Sequence, residues 1–158
     1  MDIFLAYLSS IEAQSLYFAA LFGIIIGVER EISGKDASIR TFSLISIGSC
    51  LFTIISIKAG GSTVTGDPYD LTRISAQIVS GVGFLGGGVI FKTSDRIEGI
   101  TTAALIWLTA ALGMACGFGQ YLLVTVSFGI IICVHLFSRA LHLTVFRSHP
   151  KRRRHRGV

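Results

Sequence analysis

Charged side chains are scarce in this 158-residue chain. Only 15% of the residues are Asp, Glu, Lys or Arg, whereas 51% are hydrophobic and the mean hydropathy is +0.70. This composition excludes an ordinary soluble domain of the same size and predicts a polytopic membrane protein. One compact bundle uses the whole length, so we expect no second folded domain.

Motifs for catalysis are absent from the sequence. It contains no nucleophile elbow, no HExxH and no pair of acids beside a base, so we expect no enzyme and no cofactor. Cys50, Cys116 and Cys133 each fall within an apolar segment, without a CxxC pair or a histidine at metal-ligand spacing. We interpret them as buried small hydrophobic residues rather than a disulfide or a metal site.

The N-terminal residues lack the positive region of a cleaved signal peptide, and they carry Asp2 and Glu12. We therefore expect the first hydrophobic segment to remain in the protein. Residues 1–13 are amphipathic and are expected to lie along the membrane surface.

Five hydrophobic segments are each near the length needed to cross about 30 Å of hydrocarbon. They cover residues 14–31, 41–57, 74–91, 99–115 and 120–141. The predicted fold class is therefore all-α, a polytopic membrane helix bundle with five transmembrane helices. Residues 14–141 form that domain, and residues 142–158 form a basic tail.

Lys and Arg residues are distributed unevenly between the predicted loops. The loops after the first and third segments and the C-terminal tail hold nearly all of them, whereas the other side of the membrane has only Lys58 and Arg73. By the positive-inside rule, we expect the N-terminus to lie outside and the C-terminus to lie in the cytoplasm.

The third segment contains the glycine-rich run QIVSGVGFLGGGVI at residues 77–90. Its GxGxxG spacing is typical of a dinucleotide-binding turn, but the preceding strand and the following acidic residue of that motif are missing. In a bilayer, small residues instead let two helix backbones approach closely. We expect a packing or pathway surface at the glycines of this run: Gly81, Gly83, Gly86, Gly87 and Gly88.

The GxxxG spacing occurs in three different segments, which argues for a tightly packed bundle or a homodimer. The pairs are Gly23 with Gly27, Gly83 with Gly87, and Gly113 with Gly117.

Charged residues cluster where the first segment ends, at Glu29, Arg30 and Glu31, and where the second begins, at Arg40 and Thr41. Because the apolar run before Glu29 is shorter than a full crossing, we expect its carboxylate to lie below the headgroups and to need a partner such as Arg40. An interfacial ion pair is favoured over a direct role in ion or proton movement.

Asp67 and Asp70 precede the third segment and could offer oxygens to a hydrated magnesium ion. Helix capping by Asp70 is the favoured alternative. Arg73 and Gln77 lie one turn apart on the same helix face, and both must find partners within the bundle.

Four blocks of the sequence resemble the signature blocks of the MgtC/SapB family of bacterial inner-membrane proteins, in the order expected for that family. They are GVERE at 27–31, IRTF at 39–42, DLTRISAQIVSGVGFLGGGVI at 70–90 and GITTAALIWLTAALGMACGFGQY at 99–121.

The resemblance implies a five-helix membrane domain linked to magnesium homeostasis, to virulence-associated survival in host cells, and to modulation of membrane ATPases. The best-known members continue into a soluble ACT-like domain, where this chain has a basic tail. The polar positions characteristic of the family correspond here to Glu29, Arg30, Glu31, Arg40, Thr41, Asp70, Arg73, Gln77, Thr101 and Thr102.

Two functional hypotheses follow. The first is a non-enzymatic accessory protein in the lipid bilayer, which forms a homodimer and binds a larger membrane ATPase or transporter. We expect it to bind no nucleic acid. The second is a small magnesium or proton transporter or channel subunit, in which the third helix breaks at residues 86–88. In that case Arg73 and Gln77 line an outer vestibule, and Glu29 lines an inner one.

Overall fold

The computed structural model describes residues 10–35, 37–60 and 72–144. These residues form five helices and one short hairpin, which confirms the predicted all-α class. The elements are α1 (Ile11–Ile32), α2 (Ile39–Gly60), α3 (Thr72–Gly88), β1 (Phe91–Lys92), β2 (Ile97–Glu98), α4 (Ile100–Gly117) and α5 (Tyr121–Thr144).

Four of the described helices are long and apolar enough to cross a membrane: α1, α2, α4 and α5. The fifth, α3, has 17 residues and rises only about 25 Å. It ends at Gly88, three residues before the predicted end of the third segment. The structure therefore supports four of the five predicted crossings by length and composition, and the crossing by α3 stays a prediction.

The first helix begins earlier than the sequence suggested. Ser10 caps α1 by accepting a hydrogen bond from the amide of Ala13 at 3.2 Å, which satisfies one of the amides left open at a helix start. Residues 11–13 therefore form the first turn of α1. Residues 1–9, the rest of the predicted amphipathic segment, lie outside the described residues, as does most of the basic tail.

The chain divides into two compact units, the first ending at Val124 and the second beginning at Thr125. Within the first unit, α2 is the central helix, because it packs extensively against both α1 and α4, whereas α3 packs mainly against α4. The largest fully buried apolar side chains of this unit are Phe42, Cys50, Ile106, Cys116 and Val124. The second unit contains the remainder of α5.

Small side chains of α2 allow its neighbours to approach closely. Ser46, Ser49, Thr53 and Ser56 are all buried, and the Thr53 hydroxyl donates to the Ser49 carbonyl at 2.8 Å. This bond back to the preceding turn satisfies a hydroxyl inside an apolar bundle without using another helix.

A hairpin that the sequence did not predict joins α3 to α4. β1 and β2 pair antiparallel, with Phe91 opposite Glu98, and the Thr93 amide donates to the Arg96 carbonyl at 2.9 Å. Gly99 then begins α4 with a φ of 88°, a conformation that glycine adopts readily and other residues rarely do.

Candidate functional site

The most buried ionic group in the described residues is the guanidinium of Arg30, in the last turn of α1. Its Nε and Nη2 donate to the two carboxylate oxygens of Glu29 at 2.5 and 2.6 Å. The Arg30 side chain is 6% exposed and that of Glu29 is 32% exposed. Two parallel charge-assisted bonds neutralise the cation and fix its orientation.

Arg30 is buried because it lies on the glycine face of α1. Gly23, Gly27 and Arg30 follow one another at helical spacing, and all three are buried. A Cβ on Gly23 would lie 2.7 Å from the Ser43 Cα of α2, so the two backbones are in close contact there. The Arg30 side chain therefore leaves α1 on the side that faces α2.

The residues that follow α1 hydrogen-bond to both members of this ion pair. The Ser33 hydroxyl donates to Glu29 Oε1 at 2.9 Å, and the Lys35 amide donates to the Arg30 carbonyl at 3.1 Å. Glu29 thus binds the adjacent Arg30, whereas the sequence favoured Arg40. Glu31 and Arg40 are exposed, and Thr41 is half-buried.

The polar positions predicted on α3 and α4 are more exposed than Arg30. Arg73, Gln77 and Thr101 are exposed, and Thr102 is half-buried. Asp67 and Asp70, the weak candidates for a metal, lie outside the described residues. Within residues 10–35, 37–60 and 72–144, no three His, Cys, Asp or Glu side chains come together to hold a metal ion.

Two of the three GxxxG pairs pack against α2, one from α1 and the other from α4. Gly23 and Gly27 bring α1 onto Ser43 and Ile39, and Gly113 and Gly117 bring α4 onto Ser46 and Cys50. A side chain at any of the four would overlap backbone atoms of α2. These close approaches are the packing expected for small residues between membrane helices.

The third pair has a different environment. A Cβ on Gly83 or Gly87 would meet no atom within 4 Å, and the same holds for Gly81 and Gly88. Gly86 alone of this run lies against a neighbour, since a Cβ there would be 3.5 Å from the Ala103 carbonyl oxygen of α4. Most glycines of α3 therefore face open space in the first unit.

The second hypothesis placed a break in the third helix at residues 86–88, and α3 ends there, at Gly88. α3 is continuous as far as Gly88. The carbonyls of Gly86 and Gly87 accept hydrogen bonds from the amides of Val89 and Ile90 at 3.3 and 3.2 Å, so these two oxygens are engaged within the chain.

The cysteines are free thiols in two environments. Cys50 and Cys116 are buried, as predicted, but Cys133 is exposed on α5. The prediction of burial is therefore wrong for Cys133, because hydropathy marks an apolar helix without showing which of its faces meets protein.

A second polar cluster, which the sequence did not indicate, joins the start of α1 to two other helices. Ser15 Oγ lies 2.7 Å from the Tyr121 hydroxyl, and Lys58 Nζ lies 3.0 Å from Glu12 Oε1. A single Ser, Tyr or Lys near a helix end is not part of a spaced sequence motif, so these contacts could not be predicted from the sequence.

Similarity to known proteins identifies the family of this chain. The profile of the MgtC family matches residues 16–144. The chain belongs to the MgtC family. That membership and the four long apolar helices make it a membrane protein of a bacterial family. No solved structure matches the chain.

Several bacterial members of the MgtC family are clearly similar to this chain. Protein SapB of Bacillus subtilis is 45% identical over 112 residues, covering 67% of this chain and 47% of SapB. Protein MgtC of Brucella abortus is 41% identical over 129 residues, covering 82% and 52%. The Escherichia coli protein named "Putative magnesium transporter YhiD" is 46% identical over 108 residues, covering 67% and 50%. This MgtC-family chain spans about half the length of these relatives.

Proposed function

We propose that this protein is a non-enzymatic accessory protein of the bacterial inner membrane, which acts in magnesium homeostasis by binding a larger membrane transport protein through α3. The observation that carries the proposal is an exposed surface of small residues on α3. We call it the small-residue face, and it consists of Ala76, Ser80, Gly83 and Gly87.

The small-residue face has the spacing of one helix side, with intervals of four, three and four residues. All four members are exposed, and Phe84 beside them is 83% exposed. Lipid chains gain little by covering such a surface, whereas another helix gains close backbone contact along its length. The other two GxxxG pairs are already occupied by α2, so among the three pairs the one on this face is available to a partner.

A second copy of the chain competes for the same face, because GxxxG surfaces also support homodimers. We place the larger transport protein first, since the family resemblance links the domain to membrane ATPases. The YhiD relative is named for magnesium transport, which supports the link to that ion.

Ion translocation by the chain itself is the second candidate. The polar geometry gives it less support, because Glu29 is neutralised by Arg30 and the Gly86 and Gly87 carbonyls are hydrogen-bonded within the chain. Purified protein in liposomes is expected to pass neither magnesium nor protons. Flux that is lost in Glu29→Gln would reverse the ranking of the two functions.

Crosslinking in native membranes tests the accessory role. A photoreactive residue at Phe84 is expected to capture a membrane transport protein, and Gly83→Leu is expected to abolish the capture by holding the partner helix away. Gly81→Leu is the matched control, because Gly81 lies on the same helix with equally open space but outside the small-residue face. Equal capture by both variants would contradict the proposal.

The orientation is part of this proposal. With the N-terminus outside, the Glu29–Arg30 pair and the hairpin lie on the cytoplasmic side, together with most of the Lys and Arg residues. Labelling of single cysteines placed at Ser94 and Ser10 by an impermeant reagent on intact spheroplasts tests it. Ser10→Cys should react and Ser94→Cys should not, and the reverse pattern would refute the orientation.

A further inference from the structure

An apolar groove of about 740 Å³ runs between α2 and α3. Its volume falls in the range of about 300–1,000 Å³ that small-molecule sites occupy. The walls that define this α2/α3 groove are Leu44, Gly48 and Phe52 from α2, and Ile74, Gly81 and Leu85 from α3.

The groove exists because the two helices lack side chains where they face each other. A Cβ on Gly48 or on Gly81 would meet no atom within 4 Å, so each wall is recessed at its middle. α3 is held in place from another side, where the buried Gly86 approaches Ala103 of α4. Because α3 packs against α4 on that side, the α2/α3 groove remains open.

Polar groups of α3 lie at one end of the α2/α3 groove. Gln77 lines the groove near the start of α3, and Arg73 lies one turn before it on the same side of the helix. Arg73 is exposed, and none of the described acidic side chains forms an ion pair with it. The α2/α3 groove is therefore apolar and has the Arg73 cation and the Gln77 amide near one end.

We propose that the α2/α3 groove binds one acyl chain of an anionic glycerophospholipid, with the lipid phosphate held by Arg73 and an ester or headgroup oxygen held by Gln77. An amphiphile with a negative head and an apolar tail matches this arrangement of charge along the groove. A transmembrane helix of a partner would not require a cation at one end, and the surface of α3 suited to a helix is the small-residue face on another side.

This lipid site can be tested separately from the proposed accessory function, because Gly81 lines the groove and Gly83 does not. Gly81→Leu fills the groove and leaves the small-residue face unchanged, whereas Gly83→Leu does the reverse. Each variant is the control for the other, and both positions have room for a side chain.

Native mass spectrometry tests the proposal on the full chain, released from nanodiscs made of equal parts phosphatidylglycerol and phosphatidylcholine. The wild-type protein and Gly83→Leu are expected to retain one phosphatidylglycerol, and Gly81→Leu is expected to lose it. Gly48→Leu, which fills the groove from α2, should behave like Gly81→Leu. Equal retention by Gly81→Leu and Gly83→Leu would overturn the proposal.

Two further measurements separate headgroup binding from other occupants. Arg73→Gln should reduce the preference for phosphatidylglycerol over phosphatidylcholine about fivefold, the effect of one basic residue near an anionic surface. An unchanged preference would overturn the role of Arg73. A benzophenone side chain at Phe52, which is 58% exposed, should capture lipid in the same nanodiscs, and capture of a second copy of the chain would refute lipid as the occupant.

Discussion

The Ser15 and Tyr121 hydroxyls lie 2.7 Å apart, although 106 residues separate them in the chain. This bond ties the first turn of α5 to the start of α1. The Tyr121 ring also lies against Phe18, with centroids 5.1 Å apart. Tyr121 therefore joins the two helices by a polar and an apolar contact at once.

Replacing Tyr121 by Phe keeps the ring contact and removes the hydroxyl. We expect a loss of about 0.6 kcal/mol in the free energy of unfolding, the typical value for a hydrogen bond between membrane helices. Thermal unfolding in mild detergent measures it. Tyr17→Phe is the control, since Tyr17 is 55% exposed and should change nothing. A larger loss in the control would show that the hydroxyl of Tyr121 is not the cause.

Glycine positions that look alike in the sequence should differ sharply in their tolerance of alanine. A Cβ on Gly23 would lie 2.7 Å from Ser43 Cα and 2.8 Å from the Phe42 carbonyl oxygen. Because both are backbone atoms, α1 must move away from α2, and we expect Gly23→Ala to cost about 1–3 kcal/mol.

Gly48→Ala is the matched control for Gly23→Ala. Gly48 is also within a helix and has open space around it, so alanine should stabilise α2 by up to about 1 kcal/mol through its higher helix propensity. Chemical denaturation of the two variants in the same detergent compares them. Equal stability would mean that α1 and α2 are not in close contact at Gly23.

Hydropathy predicted the helices well, since the described part of each helix begins and ends within three residues of the predicted segment ends. Burial of apolar surface in lipid is a strong signal, and it needs no knowledge of tertiary contacts. The same signal says nothing about short polar connections, so the hairpin at residues 91–98 was missed.

The contacts between helices could be predicted only in part. GxxxG spacing marks surfaces that can approach one another, but it is identical in the pairs that contact α2 and in the pair at Gly83 that remains open. Similarly, the sequence favoured Arg40 as the partner of Glu29, because a short loop joins the end of the first segment to the start of the second. The long Arg30 side chain instead turns back to the carboxylate beside it.

The Glu29–Arg30 pair predicts an unequal response to removing either charge. Glu29→Gln removes a carboxylate that neutralises a guanidinium only 6% exposed, and because Glu29 itself is 32% exposed we expect a cost of about 3 kcal/mol, the lower end for a buried pair. Arg30→Met leaves a carboxylate that is one-third exposed and can reach water, so its cost should be smaller.

The double variant completes this test. Glu29→Gln with Arg30→Met removes both charges, and we expect it to be more stable than Glu29→Gln alone, since no buried cation remains. Unfolding free energies of the wild-type protein and the three variants give the coupling. If Glu29→Gln were the most stable of the three, the ion pair would not stabilise the end of α1.

The join between the hairpin and α4 depends on Gly99. Its φ is 88°, and a Cβ there would overlap the carbonyl of Val89, so Gly99→Ala suffers both backbone strain and a steric clash. Gly119 also has a positive φ, 70°, but a Cβ on it would meet nothing within 4 Å. Gly119→Ala should therefore lose only about 1 kcal/mol from the left-handed conformation, whereas Gly99→Ala should lose clearly more in the same unfolding measurement. Equal losses would show that the turn at Gly99 relaxes away from Val89 and does not fix where α4 begins.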